Sequence, residues 1–230
     1  MPCDMTSTAL EPSAKRPPPV TTLVYPGVVL DARRALVHEE QGWMAVADVH
    51  FGYEVRRRRA GAILPDWGMP QCEATLLGLL RDHQPRRLIL VGDIMDGGAS
   101  AVETLALLDK LRAKVPLVCV EGNHDRAGLR RGRTFVKSHR EGEFLFEHGH
   151  LPISGHEGVI ITGHEHPTVR FKDGAGLELR LPALVQERTS THTQRWILPA
   201  FSPWAAGGRY ESTHERVGTW VCAPKRVWQV

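Results

Sequence analysis

Carboxylate, imidazole and amide side chains suited to divalent cations cluster in five short blocks of this chain. In order they are Asp48-Val49-His50, Gly92-Asp93-Ile94-Met95-Asp96, Gly122-Asn123-His124-Asp125, His148-Gly149-His150 and Gly163-His164-Glu165-His166. Such donors are the ones that hard or borderline divalent ions take. One intervening residue in an extended segment puts Asp48 and His50 on the same side, where both can bind one ion, and the same spacing aligns His164 with His166 and His148 with His150. Gly92 lets the backbone turn sharply, so the Asp93 carboxylate can reach between two ions. Asn123 offers a neutral carbonyl donor, while the adjacent His124 can face a substrate.

Taken singly, each block has a bland reading. Gly-Asp and Asn-rich pairs are commonly turns, and a lone His is commonly structural or on the surface. Five ligand-rich blocks in one chain, nearly all directly after an apolar run, point instead to a two-metal centre, because polar groups so placed would strain a purely structural core.

The blocks need elements that bring them together. Met44 to Ala47, Leu88 to Val91 and Leu117 to Val120 read as buried strands ending near Asp48, Asp93 and Asn123. Between them, Leu76, Leu77, Leu79 and Leu80 predict one helix face. Ser100 with Glu103 predicts a capping box before a second helix that presents Val102, Leu105, Leu108 and Leu111. This β-α-β-α-β order implies parallel neighbours with a ligand site beyond the carboxyl ends of the strands. Phe144 to Phe146, Val159 to Ile161, Trp196 to Leu198, Trp220 to Cys222 and Val227 to Trp228 predict further strands. Leu177, Leu179 and Leu181 alternate with charges as in a half-exposed strand. The fold class expected is α/β: two packed mixed sheets with helices concentrated in the first half.

The 230 residues, 42% apolar and 24% charged, suit one folded domain, assigned to 21–230. Residues 1–20, with Pro17, Pro18 and Pro19 in succession, read as a flexible arm. No apolar stretch approaches the ~20 residues that cross a bilayer, and the N-terminus has no apolar core of a secretory signal. A cytoplasmic protein without membrane contact is therefore expected. Cys3, Cys72, Cys119 and Cys222 are scattered and read as reduced thiols. A formal charge of +3 is compatible with a phosphate-bearing partner but is far below that of a nucleic-acid coating protein.

The series DxH, GDxxD, GNHD, HGH and GHxH resembles the calcineurin-like metallophosphoesterase superfamily, from Asp48 to His166. The resemblance implies a four-layer αββα sandwich. It also implies that Asp48, His50, Asp93 and His166 hold one divalent ion and that Asp93, Asn123, His148 and His164 hold the other. Mn2+ is the first choice, with Fe, Zn, Mg or Ni as alternatives. The chemistry implied is two-metal hydrolysis, in which the ions clamp the phosphoryl oxygens and acidify an attacking water. His124 would then stabilise charge or protonate the leaving alkoxide, and Asp96 or Asp125 would orient imidazoles.

The stretch ADVHFGYEVRRRRAGAILP, with LILVGD and the later LPAFSPWAAGG, resembles bacterial ligase-associated DNA-damage-response phosphodiesterases or endonucleases. Two departures stand out: the Pro-rich arm, and Asp96 where those relatives commonly carry His. That resemblance implies a phosphodiester substrate, DNA among the candidates, a setting in DNA repair, and ligase or helicase partners. A homodimer is admitted as an assembly. Arg56 to Arg59, and Arg126, Arg130, Arg131 and Arg133, lie close in sequence to the metal blocks. Such runs are commonly solvated faces; the alternative is that Arg56, Arg57, Arg126 and Arg130 grip a phosphodiester backbone. The functional readings are a phosphodiesterase of nucleic acid or nucleotides, a small-molecule phosphohydrolase, and a non-catalytic binding scaffold on the same fold.

Overall fold

The computed structural model describes residues 18–125, 129, 134–152, 155–172, 174–205, 207–212 and 214–230. Seven strands form the first sheet in chain order: β1 (Thr21–Tyr25), β2 (Val28–Asp31), β3 (Ala35–His38), β4 (Trp43–Ala47), β5 (Arg87–Val91), β6 (Leu117–Val120) and β7 (Phe135–Val136). The meander β1 to β4 is antiparallel, and β4 to β7 are parallel. The second sheet comprises β8 (Ser138–Glu141), β9 (Phe144–Glu147), β10 (Gly158–Thr162), β11 (Thr168–Lys172), β12 (Glu178–Ser190), β13 (Thr193–Ile197), β14 (Glu215–Ala223) and β15 (Arg226–Gln229). Its order is β15-β14-β12-β13-β10-β9-β8, with β11 paired to β12 off this path. The strands β9, β10 and β13 run parallel there.

Strand periodicity explains how the sheets stack. Along β4 and β5 every residue except Arg87 is buried, as suits parallel strands covered on both faces. Met44, Val46, Leu88 and Leu90 face the helices, while Trp43, Ala45, Ala47, Ile89 and Val91 face the second sheet. Between the sheets Trp43 meets Phe144 and Phe146 at ring separations of 5.0 and 5.2 Å, and Tyr25 meets Trp196 at 5.2 Å. All are edge-on contacts that the ring quadrupoles favour. The α/β sandwich of two mixed sheets flanked by helices is thus the architecture found.

Among the described residues three α-helices belong to the first half: α1 (Tyr53–Arg59), α2 (Gly68–His83) and α3 (Ala101–Arg112). Helix α2 buries Cys72, Leu76, Leu79 and Leu80 and ends at Gln84 in a left-handed conformation before Pro85. Its first turn is capped from afar, because buried Glu54 of α1 accepts the Met69 amide at 2.7 Å.

Helix α3 differs from expectation. Val102 is 77% exposed, and the buried stripe is Thr104, Leu107, Leu108 and Leu111. The capping box is not made either: the Ser100 hydroxyl donates to the Phe51 carbonyl at 3.0 Å, tying the helix start to the first metal block. Leu177 and Leu179 are both exposed, so the alternation at 177–181 marks a ribbon edge and not a half-buried face.

Residues 1–17 of the expected arm lie outside the described residues, as does Cys3, whereas the Val20 carbonyl already accepts the Ala32 amide at 2.9 Å. No helix among the described residues is long and apolar enough to cross a membrane. Burial pushes the thiols of Cys72 and Cys222 up to about 12, which leaves them inert at neutral pH.

Candidate metal centre

Each block sits where a buried strand ends. Asp48 follows β4, Asp93 follows β5 after one glycine, Asn123 lies three residues beyond β6, and His148 and His164 follow β9 and β10. The first sheet therefore delivers Asp48, His50, Asp93 and Asn123, and the second delivers His148, His164 and His166. The segment after β13 closes the side of the site: the amides of Phe201 and Ser202 donate to the carbonyls of Ala47 and Asp48 at 2.8 and 3.1 Å.

Among the described residues three groups of donor atoms result, one of them, His50, Asp96 and His124, sharing His50 with the first of the other two. Asp48, His50 and His166 bring ligand atoms within 4.8 Å of one another, and so do Asp93, His148 and His164. In the first group His50 Nε2 lies 3.2 Å from His166 Nε2, and His166 Nε2 lies 3.5 Å from Asp48 Oδ1. In the second, His148 Nε2 lies 3.0 Å from Asn123 Oδ1 and 3.3 Å from Asp93 Oδ1. The other Asp93 oxygen faces the first group, 3.9 Å from His50 Nε2.

This donor set fits divalent cations. Asp48 and Asp93 are 0% and 2% exposed, a costly place for carboxylates without a counter-charge. His50 Nδ1 is 3.0 Å from Asp96 Oδ1, which leaves Nε2 to point at His166 Nε2. One shared proton cannot satisfy both nitrogens and the approaching Asp48 oxygen, whereas a cation satisfies all three.

The backbone is specialised for this convergence. Seven non-glycine residues among those described have positive φ, and Asp48, His50, Asp93, His164 and His166 are five of them. Each left-handed residue costs about 1–2 kcal/mol, so the surrounding packing must hold these turns. The glycines of the blocks serve close approach. A Cβ on Gly92 would stand 2.2 Å from His148 Nδ1, and one on Gly122 would stand 2.1 Å from the Asp93 amide nitrogen.

Charge coupling follows the same division. Burial acts to raise the pKa of Asp93, yet the hydrogen bond and charge of His148 hold it well below the carboxylate range. Burial acts to lower His50 and His148, but Asp96 and Asp93 respectively, with their neighbouring carboxylates, carry both above the usual imidazole value. His150 and His164 are lowered by burial and then by the charge of His148.

The remaining sequence candidates separate into different roles. The His124 ring is 38% exposed and 5.1 Å from the His50 ring, open to the cleft. Asp96 contacts His50 Nδ1. Asp125 is held by backbone instead of by an imidazole among the described residues: its two oxygens accept the amides of Ile94, Met95 and Gly122 at 2.9, 3.2 and 2.9 Å, bracing the Asp93 turn.

Arg56 leans on Asp96, with Nε 2.5 Å from Oδ2, and Arg57 lies near the Tyr53 ring. Arg126 and Arg130 lie outside the described residues, as do Arg131 and Arg133. Arg195, which no sequence motif singles out, lies beside the His164 block, its Nε 3.3 Å from Thr162 Oγ1.

Buried carboxylates and imidazoles converging on the strand ends of a two-sheet sandwich define a metal-dependent hydrolase. A family model for calcineurin-like phosphoesterases matches residues 44–227, and the chain belongs to that family, whose members work on phosphoesters with pairs of divalent cations. Among solved structures, the nuclease MPE of Pseudomonas putida is 24% identical, with a TM-score of 0.68 over 91% of this chain and 100% of its own, a likeness of fold. The phosphoesterase YfcE of E. coli is 16% identical with a TM-score of 0.46, covering 79% of this chain and 88% of its own. No curated protein matches the sequence.

Proposed function

We propose that the chain is a two-metal phosphodiesterase that cleaves a nucleic-acid strand or a nucleotide diester, in a DNA-repair setting. The observation that carries this reading is the sharing of Asp93, whose Oδ1 faces His148 and whose Oδ2 faces His50. Asp48, His50, Asp93 and His166 would hold one cation, and Asp93, Asn123, His148 and His164 the other, with Mn2+ the first choice. Such a pair supplies Lewis acidity to the phosphoryl group and brings the pKa of water towards neutrality. The nuclease that shares this fold adds support for a phosphodiester substrate.

The chain's own side chains supply the rest. Asp96 fixes the tautomer of His50 through Nδ1 and keeps Nε2 free as a donor atom. His124, exposed beside that pair, is placed to protonate a leaving alkoxide or to donate to the developing charge. Arg56, Asp96, Gly97, Gly98 and His124 line one cleft of about 360 Å³. Arg56 contacts Asp96 through Nε, and its terminal nitrogens are left to face a phosphate.

The test strips the protein with EDTA, restores Mn2+, and follows bis-p-nitrophenyl phosphate, p-nitrophenyl phosphate, a cyclic nucleotide and a single-stranded oligonucleotide. Diester and oligonucleotide cleavage that returns with Mn2+ and disappears in Asp93→Asn supports the reading. Full diester cleavage by Asp93→Asn sinks the shared-ligand assignment. Turnover of the cyclic nucleotide without any of the oligonucleotide moves the protein to the small-molecule class.

A further inference from the structure

Outside the metal centre, five cations from two separate segments, 170–180 and 209–216, line one cleft of about 840 Å³: Arg170, Lys172, Arg180, Arg209 and Arg216. Strands β11 and β12 form its floor as a two-stranded ribbon in which Arg170 stands directly opposite Arg180, and Lys172 opposite Glu178. Like charges placed so repel. Glu178 relieves this only in part, 3.1 Å from Arg170 and 3.0 Å from Arg180, and Glu211 lies 3.5 Å from Arg209. Five cations against these two carboxylates leave an excess of three charges in one place, equal to the formal excess of the whole chain. Four of the five cations are exposed arginines, so core packing gives no reason for the cluster.

Backbone hydrogen bonds tie the lining of the cleft to the last metal block. The Gly208 amide donates to the His166 carbonyl at 3.3 Å, and Thr168 donates to the Gly208 carbonyl from its amide at 3.1 Å and its hydroxyl at 2.9 Å. Arg170 thus lies four residues beyond a candidate metal ligand, a chain length that spans at most about 14 Å.

We infer that this cleft docks the phosphodiester backbone of a nucleic-acid strand whose scissile bond lies at the metal centre. The inference rests on the phosphodiesterase reading above. Exposed arginines on a backbone-tracking groove bind by releasing counterions, so their contribution is read in the salt dependence of binding.

The experiment measures anisotropy of a labelled single strand of about 20 nucleotides, a length that exceeds common single-strand site sizes, in EDTA so that nothing is cut. It compares the wild type with the triple variant Arg170→Gln, Arg180→Gln, Arg209→Gln. Binding should weaken at least about tenfold, and the slope of log affinity against log salt should shrink by about 2, near 0.7 per lost contact. Mn2+-dependent hydrolysis of bis-p-nitrophenyl phosphate should be unchanged, and the Arg→Lys triple should bind nearly as the wild type does. The single variant Arg209→Gln, at a side chain 82% exposed, guards against a folding defect and should show a smaller loss in the same direction.

Equal affinity and slope in wild type and triple variant overturn the docking cleft and leave the phosphodiesterase reading standing. A wild type that hydrolyses the small diester but neither binds nor cuts the oligonucleotide overturns both. Preference for poly-glutamate over the oligonucleotide assigns the cleft to an acidic protein and overturns the inference.

Discussion

His50 and Asp96 form a buried pair, with Nδ1 3.0 Å from Oδ1, across 46 residues of sequence. Asp96 is acted on from two sides: burial raises its pKa, while His50 and Arg56 outweigh that and keep it below the usual carboxylate value. The pair orients the ring whose other nitrogen faces His166. Asp96→Asn is therefore expected to weaken Mn2+ binding by about 10–100-fold while the protein stays folded. Titration calorimetry of the metal-stripped protein reads this directly, and wild-type affinity in the variant would remove His50 from the centre.

His124→Ala separates metal binding from chemistry. Mn2+ affinity should hold, while turnover falls by about 10²–10⁴-fold on a diester with an alkoxide leaving group. The loss should be smaller for p-nitrophenolate, which leaves without a proton. Equal losses on both leaving groups would argue that His124 donates to the phosphoryl charge and is not the acid.

Gly92→Ala tests the close approach behind Asp93. At φ +70° an added Cβ would stand 2.2 Å from His148 Nδ1, so either the turn or the imidazole must move. A loss of about 1–3 kcal/mol in folding stability, with weakened Mn2+ binding, is the expected result in urea unfolding and calorimetry. Unchanged values in both would show that the turn has slack.

Asp31 sets an acid limit on stability away from the centre. Burial would raise its pKa, but hydrogen bonds from Arg33 and His83 prevail and lower it to about 2. A depressed folded-state pKa stabilises the fold above the unfolded value of about 4, and that stability is lost as pH falls towards about 2. The contribution at neutral pH is about 2 kcal/mol. Urea midpoints from pH 5 to about 2 should fall for the wild type and fall less steeply for Asp31→Asn; parallel curves would refute the assignment.

Much of this was legible in advance because the metal blocks follow continuous apolar runs. Met44 to Ala47 and Leu88 to Val91 stop at carboxylates, and a buried strand that ends in a charge announces a site. Other parts lacked a local signal. The short helix α1 carries four consecutive arginines and no apolar period, and it is held by Glu54 and Tyr53 instead of a buried stripe.

Helix α3 offered leucines at 105, 107, 108 and 111, and only packing chose the face through Thr104 and Leu107. The meander β1 to β3 consists of four- and five-residue strands split by turns at Gly27 and Arg34. The left-handed φ of the candidate ligands and the gathering of Arg170, Arg180 and Arg209 arise from tertiary structure, so no sequence window contains them.

The two candidate ligand groups draw on both halves of the chain: Asp48 and His50 meet His166, and Asp93 meets His148 and His164. A protein severed between β6 and β8 would leave each fragment with an incomplete share of both groups. Neither fragment alone should bind Mn2+ tightly, and mixing them should restore binding only as the sheets dock face to face. The centre would then act as a clasp, with metal uptake reporting the reunion of the two halves.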